Sequence, residues 1–142
     1  MICMREIKFR AWDETKKLML TVTDIAWDYR DGKGLAEIMC INTSRCEYDP
    51  FEYRPEHVKL LQFTGLKDCN GVDIYEGDII SEDPSVWNGH FYYFIVNMRD
   101  GCWEAKSTIP LDKNARGCLL FTIKNPKVEG NKFENPELIE EE

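Results

Sequence analysis

The sequence lacks the close cysteine and histidine spacings that mark a metal site. Its six cysteines stand apart, at positions 3, 40, 46, 69, 102 and 118, and no two of them form a C-x-x-C pair. The two histidines, His57 and His90, are far from any cysteine pair. Because zinc sites usually show tight ligand pairs, we expect neither a metal nor a cofactor.

Long apolar runs are missing as well. No stretch approaches the roughly 20 apolar residues of a membrane span, and the first ten residues hold no apolar segment of signal-peptide length. We therefore expect a cytoplasmic protein that does not bind membranes. In that compartment the cysteines are most simply reduced thiols.

Basic runs are absent too, since 26 acidic residues stand against 18 basic residues and give a net charge of −8. Nucleic-acid binding draws most of its affinity from Lys and Arg on phosphates, so the charge argues against a nucleic-acid partner. A local basic cluster remains at Arg5, Lys8 and Arg10, whose simplest interpretation is the exposed face of a strand.

Catalytic motifs are not found either. The chain has no G-x-G-x-x-G segment and no P-loop, and the stretch from Asp68 to Glu76 lacks the glycine and glutamate spacing of an EF-hand. A cysteine–histidine nucleophile would need His57 or His90, and neither stands in a recognised motif. We expect no catalytic residues and a protein that is not an enzyme.

Alternation of apolar and polar residues is what the sequence does have, and it predicts strands. Ile7, Phe9 and Ala11 share one face of a half-buried strand. Residues 18–22 return beside it after a turn, as a β-hairpin. Glycine, Asn and Asp reversals separate further predicted strands at 35–41, 58–63, 91–96, 102–105 and 119–123, with a helical turn as the alternative for 35–41. Residues 75–80 lead into another strand, with Gly77-Asp78 as a corner before Ile79.

The pattern weakens between residues 42 and 55, where Pro50 and Pro55 predict a loop between two modules. We expect an N-terminal β module over residues 1–57 and a C-terminal module over residues 58–142. Near the end, Asn135 as N-cap and Pro136 at the first helical position predict a short C-terminal helix.

Three segments carry a resemblance to a known family. Residues 4–13 are MREIKFRAWD, residues 61–79 are LQFTGLKDCNGVDIYEGDI, and residues 129–138 contain EGN and ENPEL. In this order they resemble the YopX-like proteins of bacteriophages and prophages. The resemblance implies a phage-derived protein of Gram-positive-type hosts, with a C-terminal module of the SH3-like small barrel type. It implies no activity and supplies no catalytic residues.

The middle segment also has a physical interpretation. Its glycines permit tight turns, and the carboxylate of Asp68 can accept hydrogen bonds from the backbone of its own loop. Such a pattern favours a fold signature over a ligand site. The signature turn residues are Gly65, Asp68, Asn70, Gly71, Gly77 and Asp78.

The aromatic residues are the most suggestive feature for function. Aromatic side chains anchor protein interfaces, although core packing is the alternative for most of them. We predict an interface role for at least one of Trp12, Trp27, Trp87 and Trp103.

The leading hypothesis is a non-enzymatic binding or assembly module. Its partner would be another protein or a second copy of the chain, because the edges of small sheets need covering. A second hypothesis is nucleic-acid association, or an acidic surface that mimics DNA. A third is a small hydrolase, which requires carboxylates gathered around a histidine. The basic residues that could serve nucleic-acid association are Arg5, Lys8, Arg10 and Lys59.

Overall fold

The computed structural model describes residues 6–28, 30, 32, 34–89, 92–108 and 118–139. Over these residues the chain consists of antiparallel strands, joined by turns and short 3-10 helices. The predicted mainly β class is confirmed. No helix in the described part of the chain is long and apolar enough to cross a membrane.

The chain divides into two compact units, which are Met1–Gln62 and Phe63–Glu142. The strands of the first unit are β1 (Phe9–Asp13), β2 (Leu18–Asp28), β3 (Gly34–Asn42), β4 (Glu47–Tyr53) and the first part of β5 (Lys59–Lys67). Their order in the sheet is β4-β3-β2-β1-β5, and each neighbouring pair is antiparallel.

The first unit has its own hydrophobic core, and its sheet is strongly curled. The buried residues of the core are Ala11, Leu20, Ile38, Cys40 and Val58. The hydroxyl of Tyr53 in β4 donates to Asp13 Oδ2 in β1 at 2.9 Å. Two strands separate them in the sheet, and neighbouring strands are about 4.8 Å apart, so a flat sheet could not close this contact. β-bulges between β2 and β3 supply curvature.

The second unit is built on a five-stranded antiparallel sheet. Its strands are β7 (Asp78–Ser81), β8 (Tyr93–Arg99), β9 (Cys102–Ser107), β10 (Cys118–Leu119) and β11 (Lys127–Asn131), in the order β10-β9-β8-β7-β11. The last part of β5 pairs with β6 (Asp73–Tyr75). Its buried core residues are Ile74, Ile80, Phe94, Val96, Ala105, Leu120 and Ile123.

Four local expectations differ from the structure. The loop predicted over 42–55 contains β4, which accommodates Pro50 because β4 lies at the sheet edge. The strand predicted over 119–123 is wrong, since β10 ends at Leu119 and a 3-10 helix follows at Leu120–Thr122. β11 was not predicted. Ile7 is 72% exposed rather than inward-facing, because β1 begins only at Phe9.

The predicted C-terminal helix corresponds to a single 3-10 turn, Pro136–Leu138. The side chain of Asn135 does not cap it. Instead, Asn135 Oδ1 accepts a hydrogen bond from the backbone N–H of Asn131 at 3.2 Å. The Asn135 side chain therefore binds the end of β11 instead of capping the 3-10 turn, and the sequence pattern did not indicate this partner.

The predicted module boundary, between residues 57 and 58, stays a prediction. The compact units meet inside β5, between Gln62 and Phe63. The SH3-like type of the C-terminal module likewise stays a prediction.

Candidate functional site

An apolar groove in the second unit is the candidate site. It encloses about 370 Å³, within the size range of ligand sites. We call it the apolar groove and define it by the residues that line it: Thr64, Leu66, Cys102, Trp103, Leu119, Leu120 and Phe121.

Three parts of the second unit position these side chains. Leu66 lies near the end of β5, and Cys102 and Trp103 begin β9. β10 contributes Leu119, after which the 3-10 helix places Leu120 and Phe121. The groove therefore depends on the chain leaving β10 after Leu119.

Most of the apolar lining is in contact with solvent. Leu66 is 39% exposed, Leu119 is 43% exposed and Phe121 is 73% exposed. Leu120, at 2% exposed, belongs to the core beneath them. A neighbouring set of exposed apolar side chains is the usual sign of an interaction surface.

Trp103 connects the groove to the core. Its ring is half-buried and packs against the core of the second unit. Its indole N–H is buried and has no hydrogen-bond partner among the described residues. A buried donor without a partner costs roughly 1–3 kcal/mol, so an incoming acceptor that reached it would bind favourably.

Strand pairing along β9 stops beside the groove. β10 pairs only with Ala105 and Glu104. On that side, the described residues provide no strand partner for Cys102 and Trp103. An unpaired strand edge can accept another strand.

The other three tryptophans lie elsewhere. Trp12 is 2% exposed and donates to Glu14 Oε2 at 2.6 Å. Trp27, in β2, is 57% exposed. Trp87 is half-buried, donates to Glu82 Oε1 at 2.7 Å and packs edge-to-face on Tyr92. Of the four predicted interface residues, only Trp103 lines the apolar groove.

Asp68 organises the signature turn. Its Oδ1 accepts from the backbone N–H groups of Asn70 and Val72, and its Oδ2 accepts from Val128 N–H in β11. Burial by itself raises the pKa of this carboxyl, but the three amides outweigh it and lower the pKa below its ordinary value. The carboxylate is saturated by its own backbone, which is the arrangement of a structural residue.

The other signature residues described below also have structural roles, as turn residues or as acceptors of backbone hydrogen bonds. Gly71, at φ +79°, closes the turn by donating its N–H to Asp68 O. Gly77, at φ +86°, precedes Asp78, whose carboxylate accepts from Tyr75 N–H at 2.8 Å. Gly65 also has a positive φ, of +87°.

The third family segment forms a hydrogen-bonded corner at the end of β11. Asn131 Oδ1 accepts from the backbone N–H groups of Phe133 and Glu134. Gly130 has no Cβ, and one built there would collide with Asn135 Oδ1. The glycine and both asparagines are thus explained by backbone geometry.

The described basic residues considered for nucleic-acid association lie on or beside the paired strands β1 and β5. Lys8 pairs with Glu6 at 3.0 Å, Arg10 lies in β1 and Lys59 begins β5. His57 is exposed on a 3-10 helix. Arg5 and His90 lie outside the described residues. Within the described ranges, no group of three or more His, Cys, Asp or Glu side chains could hold a metal ion.

Most of the groove does not follow from the sequence pattern. The strand predicted over residues 119–123 includes Leu119, Leu120 and Phe121, and alternate side chains of a strand would turn inward. The signal that could have found them is the apolar run itself, which starts two residues after Gly117 and ends before Thr122. A three-residue apolar run close to a glycine also suits a short 3-10 connector.

Comparisons with known proteins agree with this architecture. A family model described as YopX protein matches residues 8–140. The crystal structure of protein EF1440 from Enterococcus faecalis is similar, with a TM-score of 0.60 and 25% sequence identity. That match covers 96% of this chain and 100% of the other. No curated protein matches significantly.

Proposed function

The chain belongs to the YopX protein family, and from this premise we propose that it is a non-enzymatic protein-binding module, carried by phages and prophages as an accessory protein. The family resemblance supports the phage origin and a place in the cytoplasm of a bacterial host. The observation that supports a binding role is the apolar groove of the second unit.

A partner that covered the exposed apolar side chains of the groove would gain binding free energy. Covering apolar surface is worth about 25 cal/mol per Å², and interface energy concentrates in a few aromatic anchors surrounded by weaker contacts. Phe121 and Trp103 have the chemistry of such anchors, with Leu66 and Leu119 beside them. The expected occupant is an apolar segment of another protein.

The edge of β9 at Cys102 and Trp103, for which the described residues provide no strand partner, indicates how that segment binds. A peptide in extended conformation can add a strand to a sheet edge, with backbone hydrogen bonds for affinity and side-chain pockets for specificity. Here the edge at Cys102 and Trp103 runs along the groove. A bound strand would place alternate side chains against the apolar lining.

The test compares a groove variant with a matched surface variant. Phe121→Ser removes the most exposed apolar side chain of the groove, and Val86→Ser removes one that is 43% exposed and does not line it. Both positions are exposed, so both variants should fold. Each is used as bait in a lysate of prophage-carrying cells, and the captured proteins are quantified by mass spectrometry.

We expect a partner that wild type and Val86→Ser capture equally and Phe121→Ser captures at least tenfold less. If the partner is a second copy, light scattering shows a mass that rises with concentration for wild type and stays constant for Phe121→Ser. A constant wild-type mass together with identical captured proteins for all three baits would contradict the proposal.

A further inference from the structure

A second depression in the second unit has a different chemistry from the apolar groove. It encloses about 260 Å³ and is lined by two lysines, by hydroxyl and amide side chains and by two isoleucines. We call it the two-lysine pocket and define it by Ile95, Asn97, Lys106, Ser107, Thr108, Lys132 and Ile139.

The register of the β8–β9 hairpin explains why these residues share a face. Lys106 stands directly opposite Ile95, and Asn97 lies two residues further along β8. Side chains two apart, and those paired across strands, point to the same side of a sheet. Phe94 and Val96, which alternate with Ile95 and Asn97 along β8, belong to the core, so the pocket lies on the outer face of the hairpin.

Two later segments complete the pocket. Lys132 follows β11, and its backbone N–H donates to Gly77 O at 2.9 Å, which fixes its position. Ile139 follows the last 3-10 helix. Thr108 is held by a backbone hydrogen bond from its N–H to Tyr93 O at 3.0 Å.

Lys106 and Lys132 bring two positive charges to the pocket, and Glu104, which stands opposite Asn97, shares the outer face of the hairpin with them. Glu104 lies 3.9 Å from Arg99, and the Lys132 ammonium lies 5.3 Å from the centre of the Phe133 ring. Neither Lys106 nor Lys132 forms an ion pair with a carboxylate in the described ranges. Lys17 and Lys67 are each paired with an acidic side chain, whereas Lys124, like the two pocket lysines, forms no ion pair in the described ranges. In a chain of net charge −8, what distinguishes Lys106 and Lys132 is that both line one depression.

We propose that the two-lysine pocket binds a small phosphate monoester. Lysine ammonium groups bind phosphate as point charges, and the Thr108 hydroxyl and Asn97 amide can donate to the remaining phosphate oxygens. Ile95 and Ile139 provide an apolar wall for the organic part of the ester. The volume lies just below the usual 300–1,000 Å³ of drug-sized ligand sites, which favours a sugar phosphate over a larger ligand.

The probe is ribose 5-phosphate, with ribose and inorganic phosphate as reference ligands, titrated at low salt and followed by backbone amide NMR. We expect saturable shifts at Asn97, Lys106 and Thr108 with ribose 5-phosphate, weaker binding of inorganic phosphate and none of ribose. Shifts that fail to saturate, or that lie outside the pocket, would overturn the assignment.

Three lysine variants distinguish binding in the pocket from non-specific attraction to any exposed positive charge. Lys106→Gln and Lys132→Gln should each weaken binding about tenfold, and Lys124→Gln, an exposed lysine outside the pocket, should change it less than twofold. Equal losses in all three variants would overturn the proposal. So would binding of a DNA duplex, lost in Lys106→Gln, in the absence of ribose 5-phosphate binding.

Two more variants test the electrostatic basis of binding and its independence from the apolar groove. Three glutamates follow Ile139 in the sequence, and replacing all three by glutamine should leave the affinity equal or higher, because the chain then carries fewer negative charges that repel a phosphate. Lower affinity would contradict the electrostatic basis. Phe121→Ser should bind ribose 5-phosphate like wild type, so failure of the pocket and failure of the groove are distinguishable.

Discussion

At the scale of single residues, Asp68 is the clearest case of a side chain whose charge the fold requires. Three backbone amides point at its carboxylate, from two parts of the second unit. Hydrogen bonds to a charged acceptor contribute about 1.5–3 kcal/mol. The signature aspartate thus ties the turn after β5 to β11, and its role is architectural.

Asp68→Asn should lower the free energy of unfolding by about 2 kcal/mol at pH 7, because one amide nitrogen would then face a backbone N–H. The folded pKa lies below the ordinary value of about 3.9. The carboxylate's stabilisation is therefore complete above that value and is lost as pH falls through the folded pKa. Urea unfolding at pH 7 and near pH 2 should show the gap between variant and wild type narrowing in acid.

The control for this prediction is Asp100→Asn, since the Asp100 side chain is 94% exposed. It should change the free energy of unfolding by less than about 0.5 kcal/mol. A gap between Asp68→Asn and wild type that stays constant from pH 7 to the acid limit would show that the charge of Asp68 does not matter.

Tyr53 is a second residue with a role that pH can test. Burial, followed by its hydrogen bond to Asp13, raises its pKa to about 12. Its stabilising contribution is present below the ordinary value of about 10 and is lost as pH rises toward 12. Tyr53→Phe should cost about 1.5 kcal/mol at pH 8, and urea unfolding at pH 8 and 11.5 should show that cost shrinking.

Tyr93→Phe is the comparison for that variant, because the Tyr93 hydroxyl has no hydrogen-bond partner among the described residues. It should be near neutral at both pH values. A cost of Tyr53→Phe that persists unchanged at pH 11.5 would contradict the assigned role of the hydroxyl.

At the scale of elements, the turns of the second unit differ in what surrounds them. Gly71 and Gly77 both have φ near +80°, which costs a residue with a Cβ about 1–2 kcal/mol. A Cβ at Gly71 would meet nothing within 4 Å, whereas one at Gly77 would lie 3.0 Å from Phe133 Cε2. The two positions therefore separate backbone strain from packing.

Gly71→Ala should lower the free energy of unfolding by about 1 kcal/mol, and Gly77→Ala should lower it by at least about 1 kcal/mol more, since the Phe133 ring must move. Chemical denaturation of both variants measures the difference. Equal costs at the two positions would mean that the Phe133 contact contributes nothing.

Strand prediction from the sequence succeeded where local signals and pairing agree. The β8–β9 hairpin was predicted because an aromatic run, an Asp-Gly turn and a second apolar run follow one another. β4 was missed because Pro50 argues locally against a strand, and only its edge position in the folded sheet permits it. β11 carries a glycine and charged residues, and it exists because β7 and Asp68 provide its partners.

In the candidate site, too, some residues could be interpreted from the sequence and others only from the folded structure. The fold-signature residues could be interpreted in advance, since an Asp or a Gly in a turn has a local reason to be there. The apolar groove could not, because it depends on where β10 ends and on which strands lie side by side. Trp103 was found only as one of four tryptophans, and the sequence could not rank it above Trp12.

At the scale of the whole molecule, two separate cores stabilise the chain. Ile38 belongs to the core of the first unit and Ile80 to that of the second, and both are 0% exposed. The same substitution, isoleucine to valine, removes one methylene from each and should cost about 0.5–1.5 kcal/mol. The pair therefore tests whether the units are also separate in stability.

We expect Ile38→Val to speed hydrogen exchange mainly within residues 6–62 and Ile80→Val mainly within residues 63–139, because each cavity loosens the packing around it. Peptide-resolved mass spectrometry measures both patterns under identical conditions. The expectation is wrong if either variant speeds exchange equally along the chain, since a single cooperative unit would then carry both cores. β5 spans the boundary, so its exchange should respond to both substitutions, with residues 59–62 following the first core and residues 63–67 the second.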